Sequence, residues 1–181
     1  MTDAKVLSEA AFRGDLPTTL GRVSLEEIAD AWWRYTLRSQ ERDRQGHSSP
    51  DEHDPDWWAV ELWIASRQEH KTHEETVRQL THLLAERAPA EGDLGFLGAG
   101  PVEDFIDADE DRLQWIEQEA ERSENFRRAL ANAWIDDLGP TVFLRVQRAA
   151  GTELVWPLRG SGPRPMPDGS FADPSLHRST T

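Results

Sequence analysis

Apolar residues recur at helical spacing along most of this chain, and polar or Gly/Pro-rich segments separate the repeats. Leu25, Ile28, Ala29, Trp32 and Thr36 mark one face of a first helix, opened by Ser24 and Glu27 as a capping box. Trp33 stands about 100° round that helix from Trp32, so the pair faces two directions. Ser39 to His53 has almost no apolar residue and predicts a flexible insertion over 39–54. Asp54 and Pro55 then restart a helix as its cap and first residue. Trp57, Trp58, Val60, Leu62, Trp63 and Ile64 make it apolar on most sides, the pattern of a central, buried helix.

A second capping box, Thr72 with Glu75, opens a helix with the stripe Val77, Leu80, Leu84 and Ala88, and Pro89 ends it. Leu94 to Leu97 reads as one short turn. A Gly-Ala-Gly-Pro sequence follows, then a short helix through Ile106. Leu113, Ile116 and Ala120 form the next stripe, with Trp115 beside it. Ser123 caps another helix, with the stripe Phe126, Ala129, Leu130, Ala133 and Trp134, which closes near Gly139-Pro140. Thr141 to Ala150 fits a helix through Val142, Val146 and Ala149, or a strand through Val142-Phe143-Leu144. The fold class is therefore all-α, a multi-helix bundle or short helical array over 23–150. Residues 1–22, with Gly14, Pro17 and Gly21, are expected to be a loose arm. In 151–181, 16 of 31 residues are Gly, Pro, Ser or Thr, which predicts a disordered tail.

Composition narrows the functional classes. The 181 residues suit a packed core, and eight Trp supply much of its bulk, at roughly 1.5–3 kcal/mol per large aromatic buried. The net charge is −14, and Glu103 to Asp137 carry twelve acids against four Arg, a balance of −8. Such a field repels phosphate backbones and anionic membranes and attracts basic partners. Cysteine is absent, which excludes disulfides and thiolate chemistry. With no apolar leader and no membrane-length segment, a cytoplasmic location is expected.

The most specific local signal is Leu97-Gly98-Ala99-Gly100-Pro101-Val102-Glu103-Asp104-Phe105. Gly98 and Gly100 allow close backbone approach or positive φ, Pro101 presets a helical φ, and Glu103 and Asp104 suit a first helical turn. These residues read as a hinge between helices. The acids occupy the place of a phosphate, and no Gly-Lys-Ser/Thr follows, so a nucleotide loop is excluded. The nine residues resemble the signature of an uncharacterised bacterial all-helical domain family: hydrophobic residue, Gly-Ala-Gly-Pro, aliphatic residue, Glu-Asp. Ile116-Glu117, Phe126-Arg127-Arg128-Ala129-Leu130 and Trp134 extend the resemblance, which spans Ser24 to Ala150 and departs at His73–Val77. It implies a fold and no activity.

Other candidate chemistry is weaker. His70, His73 and Glu74, with His82 beyond, have metal-ligand spacing on a helix, but a cap at Thr72 leaves His70 outside it. Asp107, Asp109 and Asp111 imitate a calcium loop, yet Arg112 stands where Gly is needed and Gln118 where Glu is needed; the acids fit a helix start better. Glu103, Asp104 and Asp107 suit acid–base work only within a cleft. No catalytic residue, metal or cofactor is assigned.

The Trp residues are expected mainly in the core, with one of each adjacent pair exposed, Trp33 and Trp58 being the candidates for partner contact. With Glu117, Glu119 and Glu121 they make up the expected binding face. The leading expectation is a non-enzymatic module that holds a basic protein, as an immunity protein or antitoxin holds a basic toxin. A small enzyme or ligand-binding domain with a pocket near Gly98–Phe105 is the alternative, and a structural subunit of a larger complex is another.

Overall fold

Ser24 opens the first helix as its sequence requires: its Oγ accepts from Glu27 N at 3.2 Å, and the Glu27 carboxylate accepts from Ser24 N at 3.0 Å. The computed structural model describes residues 23–47, 50–68, 70–135 and 138–154, leaving aside the side chains of residues 66–73. Residues 1–22 and 155–181, where the arm and most of the tail were expected, lie outside the described residues. Every regular element among the described residues is helical, so the fold is all-α. The chain forms two compact units, divided between Glu91 and Gly92.

The first unit holds α1 (Leu25–Arg44), α2 (Trp57–Gln68) and α3 (His70–Glu86), each packed on the other two. Ile28, Ala29, Ala31, Trp32, Trp33 and Tyr35 are all buried, so α1 buries two directions at once in its first half. The Trp32 and Trp33 rings meet edge-on at 4.8 Å, and Trp33 Nε1 donates to Leu84 O of α3 at 2.8 Å. This corrects the expected centre of the unit. In α2, Trp58, Ala59, Leu62 and Trp63 are buried while Ile64 is exposed, so α2 has an apolar inner face and an open outer one. The segment 39–54 also differs from expectation, because its first residues continue α1 to Arg44. Arg38 and Arg42 hold the helix there by pairing with acids before α2.

The 3-10 turn Glu91–Asp93 spans the division, and the second unit continues with α4 (Leu94–Leu97), a π-helical turn (Gly98–Val102) and α5 (Glu103–Phe105). Then follow α6 (Glu110–Arg122), α7 (Glu124–Leu130) and α8 (Gly139–Ala150). Asp109 caps α6, accepting from Asp111 N and Arg112 N, so the aspartates read as a helix start have that role. Ser123 ends α6 and caps α7 through Phe126 N at 3.0 Å. The core runs through Phe105, Trp115 and Phe126, whose rings meet edge-on at 5.0 and 5.4 Å. Residues 139–150 resolve as a helix: Val142, Phe143, Val146 and Ala150 bury one face, and Gly151 closes it at φ 70°. Among the described residues no helix is long and apolar enough to cross a membrane.

Candidate functional site

The glycine-proline sequence lies at a kink between two short helical segments. Ala99, at φ −81° and ψ 21°, leaves the helical region between the segment that begins at Leu94 and the one that ends at Phe105. A proline inside a helix lacks one N–H and crowds the carbonyl four residues back. Pro101 stands two residues after the non-helical Ala99, at the start of the second segment, where the break relieves both conflicts. Neither Gly98 nor Gly100 is among the positive-φ glycines. The freedom Gly98 supplies is space: a Cβ there would lie 2.2 Å from Ala129 O and 2.8 Å from Asn132 Cβ. Gly100 meets nothing within 4 Å and has no such role. Gly98 thus lets the π turn sit directly on the end of α7. On that side Gly98, Pro101, Val102 and Phe105 are buried against packed neighbours.

Just past that contact the chain presents its most exposed large apolar side chain among the described residues. Helix α7 ends at Leu130, and Asn132 N turns back to Ala129 O at 2.8 Å. The helical period therefore stops before Trp134, which does not continue the α7 stripe as expected. Ala133 and Ile135 point inward and are buried, while Trp134 between them is 58% exposed. Glu103 fixes this arrangement from α5, its Oε2 accepting from Trp134 N at 3.3 Å. One carboxylate of the motif is thereby a tie to the α7–α8 connection, and its neighbour Asp104 is half-buried beside it in sequence.

The expected binding face is largely used internally. Glu117 is chelated by Arg145 through two bonds of 2.8 Å, and Arg145 also reaches Glu110 at 2.6 Å. Those Arg145 hydrogen bonds hold both carboxyls below their ordinary range. Glu119 is 5% exposed and faces the core side of α6, so it offers no surface charge. Of the three, Glu121 alone is exposed. Trp33 is 3% exposed and bonded to Leu84, and Trp58 is 8% exposed. Neither reaches a partner surface, because α1 buries both directions of its pair and Trp58 lies on the inner face of α2. Trp57 is the half-buried member of the second pair, tilted on Tyr35 at 5.2 Å.

In the first unit the structure assembles a charge cluster that the sequence reading did not single out. Arg34, Arg38 and Arg42 recur every four residues on α1 and face Asp54 and Asp56. Arg34 grips Asp56 at 2.8 and 3.0 Å, Arg38 bonds Asp54 at 2.6 and 2.8 Å and Asp56 at 2.6 Å, and Arg42 reaches Asp54 at 3.3 Å. The Asp54 side chain is 3% exposed. Hydrogen bonds from Arg38 outweigh burial and hold its carboxyl below the usual range. At Asp56 burial pushes upward, and the bonds from Arg34 and Arg38 together reverse it. Arg42 lies 5.5 Å over the Tyr35 ring, with its Nε and Nη2 buried and without a hydrogen-bond partner. The visible signal was the four-residue arginine period together with Asp54-Pro55-Asp56. These are fastenings of α1 to the start of α2, with the carboxylates closed off by guanidinium groups.

Among the described residues no three or more His, Asp or Glu side chains are grouped to hold a metal ion. The His70 and His73 side chains lie outside the described residues, and α3 begins at His70 itself, not at Thr72.

Comparison with curated proteins and with solved structures finds no match. The family described as "Family of unknown function (DUF6869)" matches residues 45–154, from just after α1 to the residue group beyond α8. That match covers more than half of the chain, including the π turn, Glu103 and Trp134, and the chain accordingly belongs to DUF6869, a family of unknown function.

Proposed function

We propose that this chain is a protein-binding module that docks a basic partner on its second unit, at Trp134. The observation that carries the reading is the outward indole of Trp134, held between buried Ala133 and Ile135 and tied by Glu103. Exposed aromatic side chains on a fixed backbone make strong interface anchors, since little freedom is lost on binding. The charge balance supplies the sign of the partner. Residues 92–154 carry fourteen acids against six Arg, a balance of −8. Electrostatic attraction of that kind raises the encounter rate and weakens with salt. A partner held as a toxin is held by its immunity protein fits this charge and size.

Two features weigh against a pocket beside Gly98–Phe105. The side of the turn that meets α7 is filled, and Glu103 is engaged with a backbone N–H. The test is capture from the native host with the full chain and with W134A, then reconstitution of the purified pair. The expected result is a basic partner whose affinity falls about tenfold or more in W134A. It should also fall on raising salt from about 0.05 M to about 0.5 M. Equal capture by W134A, or a salt-independent complex, would overturn the reading.

A further inference from the structure

We infer that the indole face of Trp134 receives an arginine or lysine cation of the partner. The inference rests on the protein-binding reading above and adds the chemistry of the contact. Seven Trp lie among the described residues, and of these Trp134 alone is exposed. The others serve the core or lie half-buried against it. Trp134 cannot be moved inward without displacing Ala133 or Ile135, which are 6% and 3% exposed. Among the described residues its indole is thus an outward-facing aromatic surface.

Among the described residues no ring and no guanidinium lies on that surface. Elsewhere the chain does cover aromatic faces with its own cations: Arg112 lies 5.1 Å over Phe105 and Arg42 lies 5.5 Å over Tyr35. Trp is the aromatic side chain with the strongest attraction for a cation, worth about 0.5–2 kcal/mol. An indole that no described residue covers, in a unit of balance −8, favours a positively charged occupant over an apolar one. Glu103 is a positioning residue here, acting through the Trp134 backbone.

The experiment uses the full chain labelled with nitrogen-15, reading the indole N–H signals, with that of Trp134 assigned by its loss in W134F. Three short glycine-rich peptides are titrated: one carrying two arginines, one with citrulline in their place, and one with leucine. Citrulline keeps the planar shape and removes the charge. Saturable movement of the Trp134 signal by the arginine peptide is expected, with affinity about tenfold or more above that for citrulline or leucine. Equal or tighter response to the leucine or citrulline peptide would overturn the cation assignment. So would movement spread over other indoles with Trp134 unmoved, or no movement with any peptide. Failure of the broader reading shows separately, as partner capture that W134A leaves intact.

Discussion

The Glu103 carboxylate accepts a hydrogen bond from the backbone N–H of Trp134 across 31 positions of sequence, at 3.3 Å. Replacing it with Ala releases that N–H and the tie between α5 and the α7–α8 connection. E103A should cost roughly 1 kcal/mol, because water can reach the freed group. The sharper readout is local: the backbone amide of Trp134 should lose order in nitrogen-15 relaxation while that of Leu130 keeps it. E103Q retains an acceptor oxygen and should restore most of the order. Equal order in all three proteins would show that Ala133 and Ile135 alone hold the indole outward.

Two glycines in the same turn should respond oppositely to alanine. G98A puts a Cβ 2.2 Å from the carbonyl of Ala129, which is backbone and cannot swing away. A loss of roughly 2–4 kcal/mol is expected, as α4 and the π turn are levered off α7. G100A meets open space at a backbone without positive φ and should be neutral or stabilising, by up to about 1 kcal/mol. Urea midpoints of the two variants settle the comparison, and similar losses for both would refute it.

Acid should weaken the first unit through Asp54 and Asp56. Their folded carboxyls sit below the ordinary range, chiefly through Arg38 at Asp54 and through Arg34 and Arg38 against burial at Asp56. Above the unfolded value of about 3.9 both states are ionised and the pairing contributes in full. As pH falls, the unfolded chain takes up protons first, and the contribution disappears as pH passes the lower folded values. Amide protection factors in α1, which correct for the intrinsic rate, should therefore fall below about pH 4. D54N and D56N should be less stable at neutral pH, with a flatter acid limb. Glu110 and Glu117 are depressed by Arg145 in the second unit, so an exchange probe confined to α1 keeps the effects apart. An acid limb unchanged in D54N and D56N would exclude these carboxylates as its cause.

What the sequence made legible was local. The Ser24–Glu27 box, the Asp109 and Ser123 caps and the core stripes of α3, α6 and α7 depend on neighbours within four residues, and pattern reading finds them. What it missed depends on distance along the chain or on where a period stops. Arg38 and Asp54 are 16 residues apart, and nothing in a polar stretch names its partner. Glu119 looks like a surface acid until α6 is placed on its neighbours. Trp134 reads as helical stripe because the turn at Asn132 carries no glycine or proline to announce it. The Gly98 contact was foreseen as close approach in kind, but its partner, a carbonyl of α7, appears only in the fold.

The first helix is expected to be required by the segment that the family match covers. The match begins at residue 45, after α1, yet it includes Asp54, Asp56 and Leu84, all of which depend on α1. Without α1 the two carboxylates lose three guanidinium partners, and the Leu84 carbonyl loses the Trp33 indole N–H. The inner faces of α2 and α3 also lose Ile28, Trp32 and Trp33. Burial of one large apolar side chain is worth about 1.5–3 kcal/mol, and three such side chains are lost with α1. Together these exceed the margin by which a small unit is folded. A fragment of residues 45–181 should therefore lose the slow amide exchange of α2 and α3, whereas 23–181 should keep it. If 45–181 protects α3 as the full chain does, α1 is an accessory to the unit and not part of it.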